Sequence, residues 1–245
     1  MGRRGPGAKP KQPATTATKK PRKRKGAVDW RDTSLPMPDR VIAFAEEMPI
    51  TSGKLAGTSM RLREWQKEFI RAVYGPLRDG MRLVRTALLS MPRKNGKTQI
   101  SAVLALAHLC GPCAEMRGQV YSAASDRNQA SLIFKEMMAV IDRVPWMAER
   151  LNVRSFNKLI EDDETGSTYE ALSSDARKAH VLNPSFVVCD SVARWRGRYP
   201  YADLVSATSV SAQPLVVLFG TLAHDDANLM RLLVASAGSL MTGAA

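Results

Sequence analysis

The fold of this chain is decided by one stretch of eight residues, Met91-Pro92-Arg93-Lys94-Asn95-Gly96-Lys97-Thr98. It follows an apolar run, Thr86–Leu89, and precedes a long helix-compatible run, Gln99–Ala107. A strand, a short loop ending in Gly-Lys-Thr and a helix form a cradle for a nucleoside triphosphate, because backbone N–H groups and the positive helix end face the phosphates. In such a cradle Lys97 reaches the β- and γ-phosphates, and the hydroxyl of Thr98 binds Mg²⁺.

The loop departs from the common pattern G-x-x-x-x-G-K-[ST], since Met91 stands where the first glycine is expected. Two cations, Arg93 and Lys94, lie inside it, and Asn95 and Gly96 complete it. A bare Gly-Lys-Thr arises often by chance, so the alternative is a surface loop before an ordinary buried helix. The strand–loop–helix context favours phosphate binding.

The charge of the chain is distributed unevenly. The net charge is +13, and residues 1–26 hold ten lysines and arginines and no acid, whereas the rest carries 26 basic and 23 acidic residues. Because residues 1–26 are rich in Pro, Gly, Thr and Ala without a hydrophobic period, we expect a disordered basic tail. Such a tail suits contact with phosphate backbones without sequence specificity, or serves solubility alone.

The apolar runs of the sequence do not have the length or position of a targeting signal. No apolar run approaches the roughly 20 residues that a membrane helix needs. The basic N-terminus also lacks the apolar core of a secretion signal. We therefore expect a cytosolic protein without a membrane partner.

Short apolar runs alternate with helical patterns along the chain. This alternation predicts an α/β fold, with a mainly parallel central sheet and helices on both faces. We assign residues 27–61 to a lead segment and residues 62–245 to the α/β domain. The predicted strands are Arg85–Ser90, Gln119–Ala123, Phe186–Cys189 and Pro214–Phe219, and the predicted helices are Leu62–Leu77, Thr98–Leu109, Arg127–Arg143, Tyr201–Ser211 and Ala227–Ala235.

An inserted β-hairpin interrupts this alternation. Arg154–Ile160 and Ser167–Ser173 flank the acidic run Glu161–Gly166. Four acids invite a metal-site interpretation, but consecutive turn residues rarely converge on one ion. We interpret them as the solvated tip of the hairpin.

The pair Cys110 and Cys113 has the spacing of a redox dithiol. It follows the apolar helix, however, where the helix dipole has the wrong sign to lower a thiol pKa. A zinc site would need two more soft ligands, and Cys189 is the one cysteine left in the sequence. We predict a helix stop at Gly111-Pro112, and a structural role for His108, as for the other two histidines.

The run Phe186–Cys189 ends in Asp190, at the edge of the sheet where α/β proteins bind ligands. Paired with the Gly-Lys-Thr loop, Asp190 is expected to hold Mg²⁺ from an adjoining strand end. The next residue is Ser191, where ATPases of this sort usually carry the glutamate that polarises water. Losing a positioned general base costs about 10²–10⁴ in rate, so we expect little turnover.

Taken in order, these segments resemble the large terminase subunit of tailed bacteriophages, the DNA-packaging motor ATPase. The stretches that carry the resemblance are Leu62–Gln66, Met91–Thr98, Tyr121–Ala130, Leu182–Asp190, Ala193–Gly197, and Gly220-Thr221 followed by Asp225-Asp226. The resemblance covers about residues 35–236. It implies a three-layer P-loop ATPase fold that uses ATP and Mg²⁺.

The resemblance also implies roles for single residues. Gln66 contacts adenine, Arg93 stabilises charge on the γ-phosphate, and Gly220 with Thr221 couples hydrolysis to movement. Arg194 and Arg196 are candidates for contact with phosphate or a neighbouring subunit, the alternative being a solvated basic loop.

The implied partners are double-stranded DNA, the phage portal and a small terminase subunit, with a ring of subunits assembled on the capsid. The implied location is the cytoplasm of the infected bacterial host, and transiently the capsid portal. Family members usually continue into a nuclease domain, and we expect no nuclease activity from this chain. Two alternatives remain open: a hydrolysis-deficient assembly component that binds ATP and DNA, and a helicase-like nucleic-acid ATPase.

Overall fold

The computed structural model describes residues 28–92, 95–124, 127–173, 182–190 and 213–220. Its helices are α1 (Met37–Glu47), α2 (Glu64–Tyr74), α3 (Lys97–Leu109), α4 (Arg127–Ile141) and α5 (Pro145–Arg150). Its strands are β1 (Leu77–Arg78), β2 (Met81–Arg82), β3 (Thr86–Ser90), β4 (Gln119–Ala124), β5 (Leu151–Arg154), β6 (Leu159–Asp162), β7 (Thr168–Ser173), β8 (Phe186–Cys189) and β9 (Leu215–Gly220). The helices predicted at Tyr201–Ser211 and Ala227–Ala235 lie outside the described residues.

Among the described residues, the central sheet has seven strands in the order β3-β9-β8-β4-β7-β6-β5. The first five run parallel to one another, and β6 and β5 continue the sheet antiparallel. Every residue of β8 and β9 is buried, which is why both strands read as unbroken apolar runs. The four strands predicted from apolar runs are all present, with ends that differ by one residue at most. The α/β fold with a mainly parallel sheet is therefore confirmed.

Side chains on the two faces of the sheet enter separate apolar clusters. Phe186 and Val188 of β8 belong to the large cluster that also contains the described helices. Val187 and Cys189, between them, belong to a second cluster on the opposite face. The alternation of side chains along a strand accounts for this division, and both faces are buried as in a sheet covered on two sides.

The lead segment takes part in the same core. Val41, Phe44 and Ala45 of α1 are fully buried, and the ring of Trp30 packs edge-on against Phe44 at 5.2 Å between centroids. Pro38 occupies the first turn of α1, where the N–H that proline lacks would have no acceptor within the helix. Among the described helices, none is long and apolar enough to span a membrane.

The end of α3 agrees with the predicted helix stop. The helix ends at Leu109, and both Cys110 and Cys113 are free thiols. Burial raises the pKa of Cys113 to about 12, so its thiol stays protonated. His108 is buried, its Nε2 lies 3.0 Å from the hydroxyl of Tyr74, and its ring stacks on Phe186. The structural role predicted for His108 is confirmed.

The predicted hairpin is part of a three-stranded meander. Strand β6 is shorter than the strand predicted at Arg154–Ile160, because Arg154 belongs to β5 and β6 begins only at Leu159. Strand β7 joins the central sheet parallel to β4. Asp162 is 1% exposed, so a solvated tip is the wrong interpretation for this acid. Arg150 donates to both of its carboxylate oxygens, at 2.6 and 2.5 Å, and Thr165 donates to one at 2.6 Å.

The buried carboxylate of Asp162 is stabilised by these donors. Burial acts to raise its pKa, but the hydrogen bonds from Arg150 and Thr165 outweigh burial, and the pKa lies below its ordinary value. Arg150 also pairs with Glu164. Within the described ranges, no group of three or more His, Cys, Asp or Glu residues is arranged to hold a metal ion.

Candidate functional site

The carboxyl ends of β3, β9 and β8 lie side by side at one edge of the sheet. Ser90 is aligned with Gly220, and Leu88 with Leu218 and Cys189. Asp190 follows β8 directly. The prediction that Asp190 and the Gly-Lys-Thr loop follow adjoining strands is wrong, because β9 lies between β3 and β8. Two strand spacings put roughly 10 Å between the loop strand and the strand of Asp190.

The loop after β3 is tied to the end of β9 through main-chain atoms. The N–H of Met91 donates to the carbonyl of Gly220 at 3.0 Å. Nζ of Lys97 in turn donates to the carbonyl of Met91 at 3.2 Å. The side-chain amide of Asn95 donates to the carbonyl of Pro92 at 3.4 Å. These contacts draw Lys97 over the loop and toward the sheet edge.

Helix α3 begins where the phosphate cradle requires a helix end. Gly96 has φ 77° and ψ 23°, a left-handed conformation that favours glycine. A Cβ at this position would meet nothing within 4 Å, so glycine is required by the backbone conformation and not by space. Lys97 and Thr98 follow in the first turn, whose N–H groups have no acceptor within the helix. The positive end of the helix dipole therefore lies at the loop.

Asp190 supplies the carboxylate at this edge. It is 4% exposed, and its N–H donates to the carbonyl of Ala123 at 3.0 Å. Burial, with the charge of the adjacent Asp190, raises the pKa of the Cys189 thiol. Carboxylate and hydroxyl oxygens, such as those of Asp190 and Thr98, are ligands that Mg²⁺ prefers.

Gln66 lies at the site end of α2. Phe69, one helical turn later, has its ring 6.2 Å from that of Phe219, the residue before Gly220. The helix then runs away from the site to Tyr74, which contacts His108 near the end of α3. Because α3 starts at the loop, α2 and α3 point the same way, and Gln66 belongs to the loop end of both. The contact between Phe69 and Phe219 was missed in the sequence, where each residue reads only as apolar.

The structure thus brings Asn95, Gly96, Lys97, Thr98 and Gly220 together, with Asp190 two strands away and Gln66 on the adjacent helix. The other predicted site residues fall outside the described part of the chain: Arg93, Lys94, Ser191, Arg194, Arg196, Thr221, Asp225 and Asp226.

A parallel sheet whose edge strand leads through such a loop into a helix, with a buried aspartate two strands away, defines the P-loop ATPase fold. A family model described as the terminase large subunit, ATPase domain, matches residues 64–237. The chain belongs to this family, and the resemblance inferred from its sequence motifs is confirmed.

Two relatives from one phage support the assignment. The large terminase subunit of Enterobacteria phage HK97 is 35% identical over 197 residues, which is 78% of this chain and 38% of the relative. The crystal structure of the HK97 bacteriophage large terminase superposes with a TM-score of 0.75 at 31% identity, covering 84% of this chain and 42% of that one. The chain spans about two fifths of the length of these relatives.

Proposed function

We propose that this chain is the ATP-binding motor domain of a phage terminase large subunit, coupling ATP hydrolysis to the packaging of double-stranded DNA into a capsid. The observation that carries the proposal is the loop between β3 and α3. Its lysine contacts a loop carbonyl, its glycine starts the helix, and its first N–H is bound to the end of β9. The lysine side chain and the N–H groups of the first helical turn, which have no acceptor within the helix, are donors of the kind that phosphate oxygens accept.

The residues have separate tasks in nucleotide binding. The N–H groups of Lys94, Asn95 and Gly96 cradle the phosphates, and Lys97 exchanges the carbonyl of Met91 for β- and γ-phosphate oxygens. Thr98 and Asp190 hold Mg²⁺, which when bound neutralises phosphate charge. Arg93 stabilises charge on the γ-phosphate, and Gln66 contacts the base.

The end of β9 is placed to move when the loop after β3 binds nucleotide. The N–H of Met91 donates to the carbonyl of Gly220, and Nζ of Lys97 donates to the carbonyl of Met91. A nucleotide that draws Lys97 away from Met91 changes the loop at the point where it meets β9. Gly220 and Thr221 would carry that change onward, as the coupling step requires.

The assembled protein would act with partners. Double-stranded DNA is the substrate moved, with residues 1–26 as a basic contact to its backbone. A portal, a small terminase subunit and neighbouring copies in a ring complete the machine. Its site of action would be the host cytoplasm, at the capsid portal during packaging.

Ser191 motivates a second candidate, an assembly component that binds ATP and DNA without turnover. A hydroxyl is not a useful base near neutral pH, so we expect near-background phosphate release from the chain as it stands. The substitution Ser191→Glu should raise release by about 10²-fold or more.

Nucleotide titration with and without Mg²⁺, followed by phosphate release, tests both candidates. Binding without release, rescued by Ser191→Glu, supports a motor domain with a blocked step. Robust release by the unmodified chain would assign water activation to another group. Absence of nucleotide binding would overturn the proposal.

A further inference from the structure

The hairpin of β1 and β2 presents apolar and basic side chains on its outer face. Its turn, Asp79-Gly80, has φ of 53° and 75°, as a two-residue turn of type I′ requires. From Met81 to Arg85 the side chains alternate between exposed and half-buried, as they do along an extended chain. Arg78 lies opposite Met81 in the hairpin register, so these two side chains share a face. The outer face therefore carries Arg78, Met81, Leu83 and Arg85.

Arg82 anchors the hairpin from its inner face. Its main-chain N–H donates to Oε1 of Gln213 at 3.2 Å, and its guanidinium donates to the carbonyl of Gln213. Gln213 lies just before β9, so the hairpin is held at the amino edge of the sheet, opposite the nucleotide loop. The hairpin and the three residues after it hold three arginines against one acid. Within the described part of the chain, neither Arg78 nor Arg85 forms an ion pair.

A turn of opposite charge lies at the same edge of the sheet, toward its other end. This acidic turn, residues 163–166, joins β6 to β7. Because β7 runs parallel to β4 and to the strands of the site, the turn that precedes it lies at the amino edge. Asp163 and Glu164 are exposed. Glu164 is paired with Arg150, whereas Asp163 forms no ion pair with another described residue.

An exposed methionine accompanies the acidic turn. The N–H of Arg117 donates to the carbonyl of Thr165 at 2.9 Å, which places the preceding residue, Met116, beside the turn. Met116 is 76% exposed, and Met81 and Leu83 of the hairpin are 42% and 48% exposed. Arg117 is exposed as well, and its single cation is outnumbered by the two carboxylates of the turn. Each patch thus combines an excess of one charge with exposed apolar surface.

The hairpin and the acidic turn do not meet within one copy of the chain. Strand β3, which follows the hairpin, and β7, which follows the turn, are four strand spacings apart, roughly 19 Å. Two hairpins that faced each other across a two-fold axis would oppose like charges, which is unfavourable. A hairpin that meets the turn of another copy leaves one hairpin and one turn free. Such a head-to-tail contact closes into a ring when the rotation between copies permits.

We propose that the outer face of the β1–β2 hairpin binds the acidic turn of a second copy of this chain. The two exposed arginines pair with carboxylates of the turn, and Met81 and Leu83 bury against Met116. Methionine and arginine are enriched at protein interfaces, whereas apolar side chains between the arginines would gain nothing from a phosphate backbone. The inference rests on the proposed function, in which neighbouring copies form a ring, and it names the surfaces through which they meet.

Charge reversal followed by mixing tests the contact. Arg78→Glu reverses the hairpin and Asp163→Lys reverses the turn, and each variant should keep the wild-type melting temperature because both side chains are exposed. Sedimentation velocity of the full chain at low salt should show self-association of the wild type, weakened about tenfold or more in either variant. An equimolar mixture brings the reversed hairpin to the reversed turn, so it should recover most of the wild-type association.

Lys135→Glu is the matched control, because Lys135 is exposed on α4 and lies outside both patches. It should self-associate as the wild type does. Higher salt should weaken the association of the wild type, since exposed charges are screened. ATP titration of all these proteins should give the same affinity, because both patches lie at the edge opposite the nucleotide loop.

Four results would overturn the inference. A wild-type chain that stays monomeric at every concentration would exclude the contact, and equal association of all variants would place these charges outside it. Loss in both variants without recovery in the mixture would show that hairpin and turn do not meet each other. Weaker DNA retention in Arg78→Glu with unchanged association would assign the hairpin to nucleic acid. Failure of the wild type to bind ATP would overturn the proposed function, while the sedimentation data would still decide this contact.

Discussion

Two regions of the central sheet differ in whether their charged side chains are paired with each other. In the outer region, formed by α5, β5, β6 and β7, the buried carboxylate of Asp162 is paired directly with Arg150. In the site region, formed by β3, β9, β8 and α3, the charged groups Lys97 and Asp190 follow strands that are separated by β9. Lys97 contacts the neutral carbonyl of Met91. A lysine bound to a carbonyl can exchange it for a phosphate, whereas breaking the pair of the partly buried Arg150 with the buried Asp162 leaves a buried charge without its cation.

The largest expected effect belongs to the outer region. The substitution Arg150→Met removes the cationic partner of the buried Asp162 carboxylate, which keeps the hydrogen bond from Thr165, and the free energy of unfolding should fall by about 3–5 kcal/mol. Denaturant unfolding measures this change. Nucleotide affinity, measured below the unfolding transition, should stay the same because the pair lies outside the site region.

Arg154→Met provides the comparison within the same meander. The pair of Arg154 with Glu161 is exposed, so its loss should cost less than about 1 kcal/mol. Equal losses in the two variants would show that burial does not distinguish these pairs. Weaker nucleotide binding in Arg150→Met would show that the two regions are coupled.

The next effect concerns function without stability. Lys97→Ala should lower ATP affinity on the order of 10²–10⁴-fold, because two charge-assisted hydrogen bonds of about 1.5–3 kcal/mol each are lost. The free energy of unfolding should change by about 0.5 kcal/mol or less, as is usual for a lysine outside the core. Nucleotide titration and denaturant unfolding of the same samples separate the two quantities.

Lys67→Ala is the control for a lysine that is partly exposed and paired with Glu46 at 3.4 Å. Its ATP affinity should match that of the wild type. If Lys97→Ala instead unfolds the chain while any folded fraction binds ATP normally, Lys97 has a structural role like that of Arg150. The contrast between the two regions would then disappear.

The smallest expected effect concerns the protonation of His108, which is buried in the core of the site region. Burial, aided by the positive charge of Arg82, holds the pKa of His108 well below its ordinary value of 6.5. The folded state therefore resists protonation, whereas the unfolded state accepts a proton below about pH 6.5. Stability from the neutral ring is complete above this pH. It declines as the pH falls, by up to about 1.4 kcal/mol per unit, until the folded pKa is reached.

His108→Gln removes this titration and retains a polar partner for the hydroxyl of Tyr74. Unfolding free energies at pH 7, 6 and 5 should show a steeper decline for the wild type than for the variant. Parallel curves would mean that His108 titrates alike in both states. The core of the site region would then tolerate charge as the outer region does.

Sequence reasoning succeeded where burial dictates residue type. The bounds of β8 were predicted in full, since Phe186–Cys189 is an apolar run closed by an acid, and α3 was predicted to within one residue. The loop motif and Asp190 were chosen because phosphate chemistry restricts which residues can serve, and their roles stay predictions. Strand order could not be read from the chain, because the insertion of β9 between β3 and β8 depends on tertiary packing.

The burial of Asp162 was missed for a related reason. Its partner Arg150 precedes it by 12 residues, and Thr165, in the turn between β6 and β7, donates to the same carboxylate. Four acids in a row are typical of a solvated turn, and the pattern gives no sign of a donor arriving from another element. The capping of α2 by Gln66, whose Oε1 accepts a hydrogen bond from the N–H of Arg63 at 2.8 Å, was missed as well, although the spacing of three residues was visible.

The hydrogen bond from Met91 to Gly220 has a consequence for mutational study of this protein. Both of its atoms belong to the main chain, so substituting either residue by alanine leaves the bond available. An alanine scan would report the packing of the buried Met91 side chain and not this bond. A proline at position 91, or an ester replacing the amide nitrogen by chemical synthesis, would remove the donor itself. Such backbone editing is the way to ask whether the loop and β9 communicate through this junction.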